Sequence, residues 1–145
     1  MLNLMKGNKK MLKKVSLILF ACLISFFMFG ISFADIKHAD DSNFEKEVLN
    51  SKGIVLVDFW ATWCGPCQKQ APVLEQLSRD RLMKDVKIVK VNVDESKAVS
   101  DKFGISSIPT LMIFEDGQKK EQWSGYTDFN GLRQRLAKYV LKQNI

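Results

Sequence analysis

Ile54-Val55-Leu56-Val57-Asp58-Phe59-Trp60-Ala61-Thr62-Trp63-Cys64-Gly65-Pro66-Cys67 is the stretch on which the reading of this chain turns. Its first seven residues are apolar apart from one aspartate, with β-branched Ile54, Val55 and Val57 among them and Gly53 before them. A continuous run of that kind predicts a central strand covered on both faces. Pro66 suits the first turn of a helix, where a missing N–H leaves nothing unpaired. The segment therefore predicts a buried strand that hands over directly to a helix, with two cysteines at the junction.

Cysteines three apart in a first helical turn bring their sulfurs close enough to bridge. Cys64, at the edge of the helix, faces unpaired backbone N–H groups and the positive end of the helix dipole, which favours a thiolate. A thiolate is the attacking species in thiol–disulfide exchange. Cys67, one turn inside, is expected to be more buried and to stay a thiol until needed. Cys64 then reads as the nucleophile and Cys67 as the resolving cysteine. A zinc site needs two more ligands, but the chain has only one other cysteine, Cys22, and one histidine, His38. Haem attachment needs a histidine where Gln68 stands. A purely structural bridge is possible, although so short a loop stabilises little.

Two further features bear on the pair. Asp58 is a carboxyl inside an apolar strand, a costly arrangement that raises its pKa unless a partner compensates. It lies on the strand feeding the cysteines and can take the proton of Cys67; the plainer reading is an aspartate that reaches solvent or pairs with Lys90. Pro109 precedes another apolar run, a position tolerated at a strand start or in a cis turn. If it packs against the cysteines, the backbone of Ile108 is free to bond an extended peptide.

Outward from this centre, Asp40 to Asn50 predicts a helix capped by Asp41 or Ser42, with Phe44, Val48 and Leu49 on one face. The helix opened by Pro66 is expected to run to about Met83, with Val73, Leu74, Leu77 and Leu82 as its apolar positions and Pro72 inside it. Val86 to Val93 and Thr110 to Phe114 read as buried strands, and Ser96 to Phe103 as a short helix. Asp116-Gly117 predicts a tight turn into an edge strand, Gln118 to Trp123. Asp128 caps a last amphipathic helix with Leu132, Leu136, Tyr139 and Val140 inward. Residues 35–43 read as a polar linker with His38 solvated. The order is αβαβαββα, an α/β fold with a central mixed sheet and helices on both faces.

The net charge of +6 over 145 residues belongs mostly to the start of the chain, at Lys6, Lys9, Lys10, Lys13 and Lys14. Residues 35–145 hold 17 Lys/Arg against 16 Asp/Glu, so the folded part lacks the basic footprint of a nucleic-acid binder. After the lysines comes an apolar run, Val15 to Phe33, which ends in Ser32-Phe33-Ala34. This is the pattern of an export signal cleaved after Ala34; the run is also long enough to remain as a membrane anchor. Either way the lysines stay cytoplasmic and the domain lies outside. Residues 1–34 thus read as signal peptide or N-terminal anchor, and 35–145 as one domain. Cys22 reads as an apolar residue of that run.

The stretch from Val57 to Cys67 closely resembles the thioredoxin signature, as do Ala71-Pro72, Lys90 to Asp94, Gly104-Ile105 through Thr110, Gly117 and Gly125. The resemblance spans about residues 40–142 and implies the thioredoxin fold. It implies a redox pair Cys64–Cys67, with Asp58 as buried proton acceptor and Lys90 near it. Trp60, Trp63, Gly65 and Pro66 shape the site. Pro109 is the cis-proline, and with Ile108, Gly125 and Trp63 it lines the surface that holds substrate. No cofactor beyond the disulfide, no metal and a monomer are implied. The Gly-Pro dipeptide and Ile108 are features of reducing members, so the reading is a protein-disulfide reductase acting on disulfide-containing exported proteins. A membrane electron donor would replace the soluble flavin reductase that serves cytosolic members. The same fold also serves disulfide-introducing oxidases and cytochrome c maturation reductases, the latter with an insertion absent here. The same surface can equally serve a non-catalytic binding or chaperone module.

Overall fold

Five strands carry the fold: β1 (Ile36–Ala39), β2 (Ile54–Trp60), β3 (Val86–Asn92), β4 (Thr110–Glu115) and β5 (Gln118–Ser124). The structure is a computed structural model and describes residues 35–143. The expected signal or anchor over 1–34, including Cys22, lies outside the described residues. The strand order is β1-β3-β2-β4-β5. β1, β3 and β2 run parallel, while β4 and β5 are antiparallel additions. This is the predicted α/β fold with a mixed sheet.

β2 is central, with β3 on one side and β4 on the other, which is why its sequence is apolar at nearly every position. Ile54 and Leu56 face a cluster with Ile88, Leu111 and Ile113, covered by Leu74 and Leu77 of α2 (Gly65–Ser78) and Leu132 and Leu136 of α4 (Phe129–Gln143). Val55, Val57 and Phe59 face the other way. They pack with Phe44 at the start of α1 (Glu45–Leu49) and Val48 within it, and with Val99 of α3 (Lys97–Lys102). Each face of β2 thus buries a full layer of side chains, the largest favourable term in such a fold.

Several expectations change. Residues 36–39 are an edge strand rather than linker, paired in register with Ile88 to Val91. The strand reads as polar because Lys37 and His38 are exposed; only Ala39 is buried, while Ile36 packs at the rim of the core. The predicted first helix shrinks to one π-helical turn, closed by Asn50 N–H donating to the Glu45 carbonyl at 2.8 Å. Asp41 does not cap it. Its carboxylate accepts instead from the N–H groups of Ala98 (3.1 Å) and Val99 (2.9 Å), capping α3 from a distance. Ser96, at the N-cap position of α3, makes no side-chain capping bond.

α2 stops at Ser78, short of Met83. Asp80 adopts extended backbone and its carboxylate accepts from Leu82 N–H at 2.8 Å, starting a separate 3₁₀ turn over Arg81–Met83. This re-aims the side chains, so Met83 is buried and Leu82, expected on the apolar stripe, is 56% exposed. Tyr139 is half-buried, and its hydroxyl donates to Glu121 of β5 at 2.8 Å. Among the described residues no helix is long and apolar enough to cross a membrane.

The β4–β5 turn follows its Asp-Gly signal: Asp116 and Gly117 both have positive φ, 51° and 77°. The turn is held by Asp116 N–H on the Gly53 carbonyl (2.9 Å) and Gly53 N–H on the Asp116 carboxylate (3.0 Å). Gly117 is pressed against the last residue of α1, so that a Cβ would fall inside the Leu49 carbonyl. Gly117→Ala should therefore cost more than about 2 kcal/mol in urea unfolding, from backbone strain and steric clash together. Gly65→Ala, where a Cβ meets nothing within 4 Å, should leave stability unchanged or slightly raised. Equal effects at the two positions would contradict this packing.

Candidate active site

The reactive end of the molecule lies where β2 and β3 finish and α2 begins. Cys64 is the N-cap of α2, with extended backbone, and Pro66 sits in the first turn as its missing N–H allows. The Cys64 and Cys67 sulfurs are bonded at 2.09 Å, with Cα atoms 5.2 Å apart. Cys67 N–H donates to Cys64 Sγ at 3.2 Å. A sulfur thus takes the place of the usual oxygen cap and occupies the positive end of the helix dipole. On its other side, Cys64 Sγ lies 3.6 Å from the carbonyl oxygen of Ile108. The Ile108–Pro109 peptide bond is cis.

The expected contrast in burial between the cysteines is not there: Cys64 is 4% and Cys67 3% exposed, both packed with Ala61, Trp60, Val93 and Ile108. What distinguishes them is their partners. Cys64 lies against a backbone N–H and a carbonyl at the rim, whereas Cys67 belongs to the inner stripe that continues through Leu74 and Leu77.

Trp63 is 69% exposed and is held by its indole N–H donating to Asp94 at 2.8 Å. With Val93, Ile105, Ser106, Ser107 and Ile108 it lines a groove beside the pair. Gly125 N–H donates to the Pro109 carbonyl at 2.7 Å, and its φ of 98° is one that side-chain-bearing residues rarely adopt. Gly65 borders open space. Trp63, Cys64, Ile108, Pro109 and Gly125 are thus brought to one end of the sheet. Asp94 was not singled out from sequence, although an acid two residues past a buried strand is a recognisable partner for an exposed indole.

Asp58 lies one layer down on the α2 side of the sheet and is fully buried. Neither carboxyl oxygen has a hydrogen-bond partner among the described residues. Burial pushes its pKa from 3.8 up to about 7, opposed by the positive charge of Lys90 directly across in register. The Lys90 ammonium sits 4.4 Å over the Trp60 ring, and His38 meets the same ring edge-on at 6.4 Å. Lys90 therefore acts on Asp58 through its field, in a row that crosses from β2 through β3 to His38 on β1. Among the described residues no group of three His, Cys, Asp or Glu is placed to hold a metal.

An acid whose pKa is raised by folding binds more protons folded than unfolded between the two values. Stability conferred at low pH is then lost as pH climbs from about 4 to about 7. The gap from 3.8 to about 7 corresponds to roughly 4 kcal/mol. Asp58→Asn should accordingly stabilise the oxidised protein by up to about 4 kcal/mol at pH 8 and by little at pH 4. Urea unfolding at the two pH values measures this, and an equal effect at both would show that the carboxyl does not titrate as described.

Comparison with known proteins agrees with this geometry. The Thioredoxin family model matches residues 35–138. Thioredoxin 1 of Nostoc sp. is 49% identical over 100 residues, covering 69% of this chain and 92% of its own. The thioredoxin of Listeria monocytogenes is 47% identical over 105 residues, covering 72% and 99%. Among solved structures, the thioredoxin of Malassezia sympodialis (Mala s 13) superposes with a TM-score of 0.67 at 31% identity, covering 77% of this chain and 96% of its own. The chain belongs to the thioredoxin family, and its cysteine pair at the head of α2 makes it a thiol–disulfide oxidoreductase.

Proposed function

We propose that this oxidoreductase works in the reducing direction, on disulfides of exported proteins, with Cys64 as nucleophile, Cys67 as resolving thiol and Asp58 as proton acceptor. The observation that carries the reading is the seat of Cys64 Sγ, between the Cys67 N–H at 3.2 Å and the Ile108 carbonyl at 3.6 Å. In the reduced protein the helix terminus stabilises a thiolate at that seat. The thiolate attacks a substrate disulfide, forming a mixed disulfide and releasing one substrate thiolate. Cys67 then gives its proton to the Asp58 carboxylate and attacks Cys64 Sγ. The Cys64–Cys67 bond forms, the second substrate thiolate leaves, and two electrons have passed to the substrate. Asp58 suits the role because its pKa lies near neutrality, where it takes and returns a proton readily.

Substrate is held across Trp63, Ile108, Pro109 and Gly125, with the Ile108 backbone bonding an extended peptide. Trp60, Gly65, Pro66 and Lys90 shape the site, and no bound cofactor is needed. The export reading rests on the lysine-rich start and the apolar run ending at Ala34. A domain placed outside the cytoplasm receives its electrons from a membrane dithiol donor and works as a monomer. N-terminal sequencing of the native protein checks the leader: a start at Asp35 supports cleavage, the full leader in the membrane fraction supports an anchor, and an intact cytosolic chain overturns export.

Three measurements test the chemistry. Cys67→Ser should accumulate mixed disulfides through Cys64 with secreted proteins, and Cys64→Ser should lose reduction of insulin by dithiothreitol; full activity in the latter would refute the assignment. The reduction potential should lie near the thioredoxin value of about −270 mV. A value above about −180 mV would instead indicate a disulfide-introducing oxidase.

A further inference from the structure

Position 70 of α2 is where this sequence departs from its own pattern. The inner stripe of the helix reads Cys67, Gln70, Leu74, Leu77, all buried. An apolar residue at position 70 would complete the stripe, and a primary amide is costly there unless its groups are bonded. They are. Gln70 Oε1 accepts the backbone N–H of Thr127 at 2.9 Å, and Gln70 Nε2 donates to the Thr127 carbonyl at 3.0 Å. One side chain thus pairs both backbone groups of a single residue 57 positions away. Thr127 is tied a third time, its hydroxyl accepting the Trp123 indole N–H at 2.8 Å.

Thr127 lies in the short loop between β5 and α4, residues 125–128. The start of that loop is fastened to the active site by Gly125 N–H on the Pro109 carbonyl, at 2.7 Å. Between these two ties lies Tyr126, 48% exposed. The loop is therefore suspended between Pro109 and the helix that carries the cysteines, and its anchor on the helix is one turn from Cys67.

We propose that Gln70 is a positioning residue for protein substrates: by clamping Thr127 it holds the Gly125–Tyr126 loop at a set distance from Cys64, without touching the reacting sulfurs. This rests on the reductase reading above. It assigns Gln70 to recognition of a polypeptide rather than to sulfur chemistry, so large and small substrates should respond differently to its loss.

Gln70→Leu and Gln70→Met keep the volume and remove the amide, leaving the Thr127 N–H and carbonyl unpaired. For each folded variant the KM for insulin, recycled with dithiothreitol, should rise roughly five-fold, the worth of one ordinary hydrogen bond. The reaction of the reduced variant with the small aromatic disulfide 5,5′-dithiobis(2-nitrobenzoic acid) should keep its wild-type rate. In the wild-type protein the Thr127 amide should exchange with deuterium as slowly as core amides, and faster in the variants. An unchanged insulin KM, a parallel fall in the small-disulfide rate, or an unprotected wild-type Thr127 amide would each overturn the proposal. A wild-type protein inactive on insulin would count against the reductase reading itself, since the Thr127 exchange measurement does not depend on activity.

Discussion

A helix that starts where a buried strand ends leaves its first N–H groups without partners inside the helix, and whatever caps that end sits in their field. In this chain the cap is a sulfur. The requirement that β2 be central brings its last residue to the sheet end, and Pro66 starts α2 within a few residues of it. Cys64 is then left facing the Cys67 N–H on one side and the Ile108 carbonyl on the other. The rest of the fold holds that junction still. Leu74 and Leu77 lock α2 onto β2, β4 brings Ile108 and Pro109 alongside, and the β5–α4 loop is tied back to both.

Two fully buried polar side chains lie beneath the cysteines, and the fold treats them in opposite ways. Gln70 has its amide donor and acceptor groups both engaged, so its burial adds order at little net cost. Asp58 has neither oxygen bonded within the described protein and only the field of Lys90 to offset its desolvation. An unbonded carboxyl is poor as structure but well suited to gaining and losing a proton near neutral pH. The contrast separates a group that fixes geometry from one whose charge is free to change.

Much of this was legible in the chain because the decisive signals are local. An apolar run without alternation reports burial on both faces, and Cys-Gly-Pro-Cys reports its own turn. Asp116-Gly117 dictates its backbone. The misreadings arose where a distant partner decides the outcome. Ile36–Ala39 forms a strand only because β3 offers it an edge, and its exposed Lys37 and His38 conceal this. Asp41 caps a helix 57 residues away rather than its own. Leu82 fits a helical period but loses its place because Asp80 breaks the helix before it. Gln70 could have been noticed as a polar residue between Cys67 and Leu74 in a buried stripe; its partner could not, because a contact with Thr127 leaves no periodic trace.

The central claim is that the helix terminus keeps the outer sulfur ionised once the bridge is opened. Timing iodoacetamide modification of the fully reduced protein at pH 7, alongside glutathione, tests it most directly. Selective labelling of Cys64 at a rate well above that of glutathione, with Cys67 left unmodified, is the result this account requires. Labelling no faster than glutathione, or labelling of Cys67 first, would contradict it.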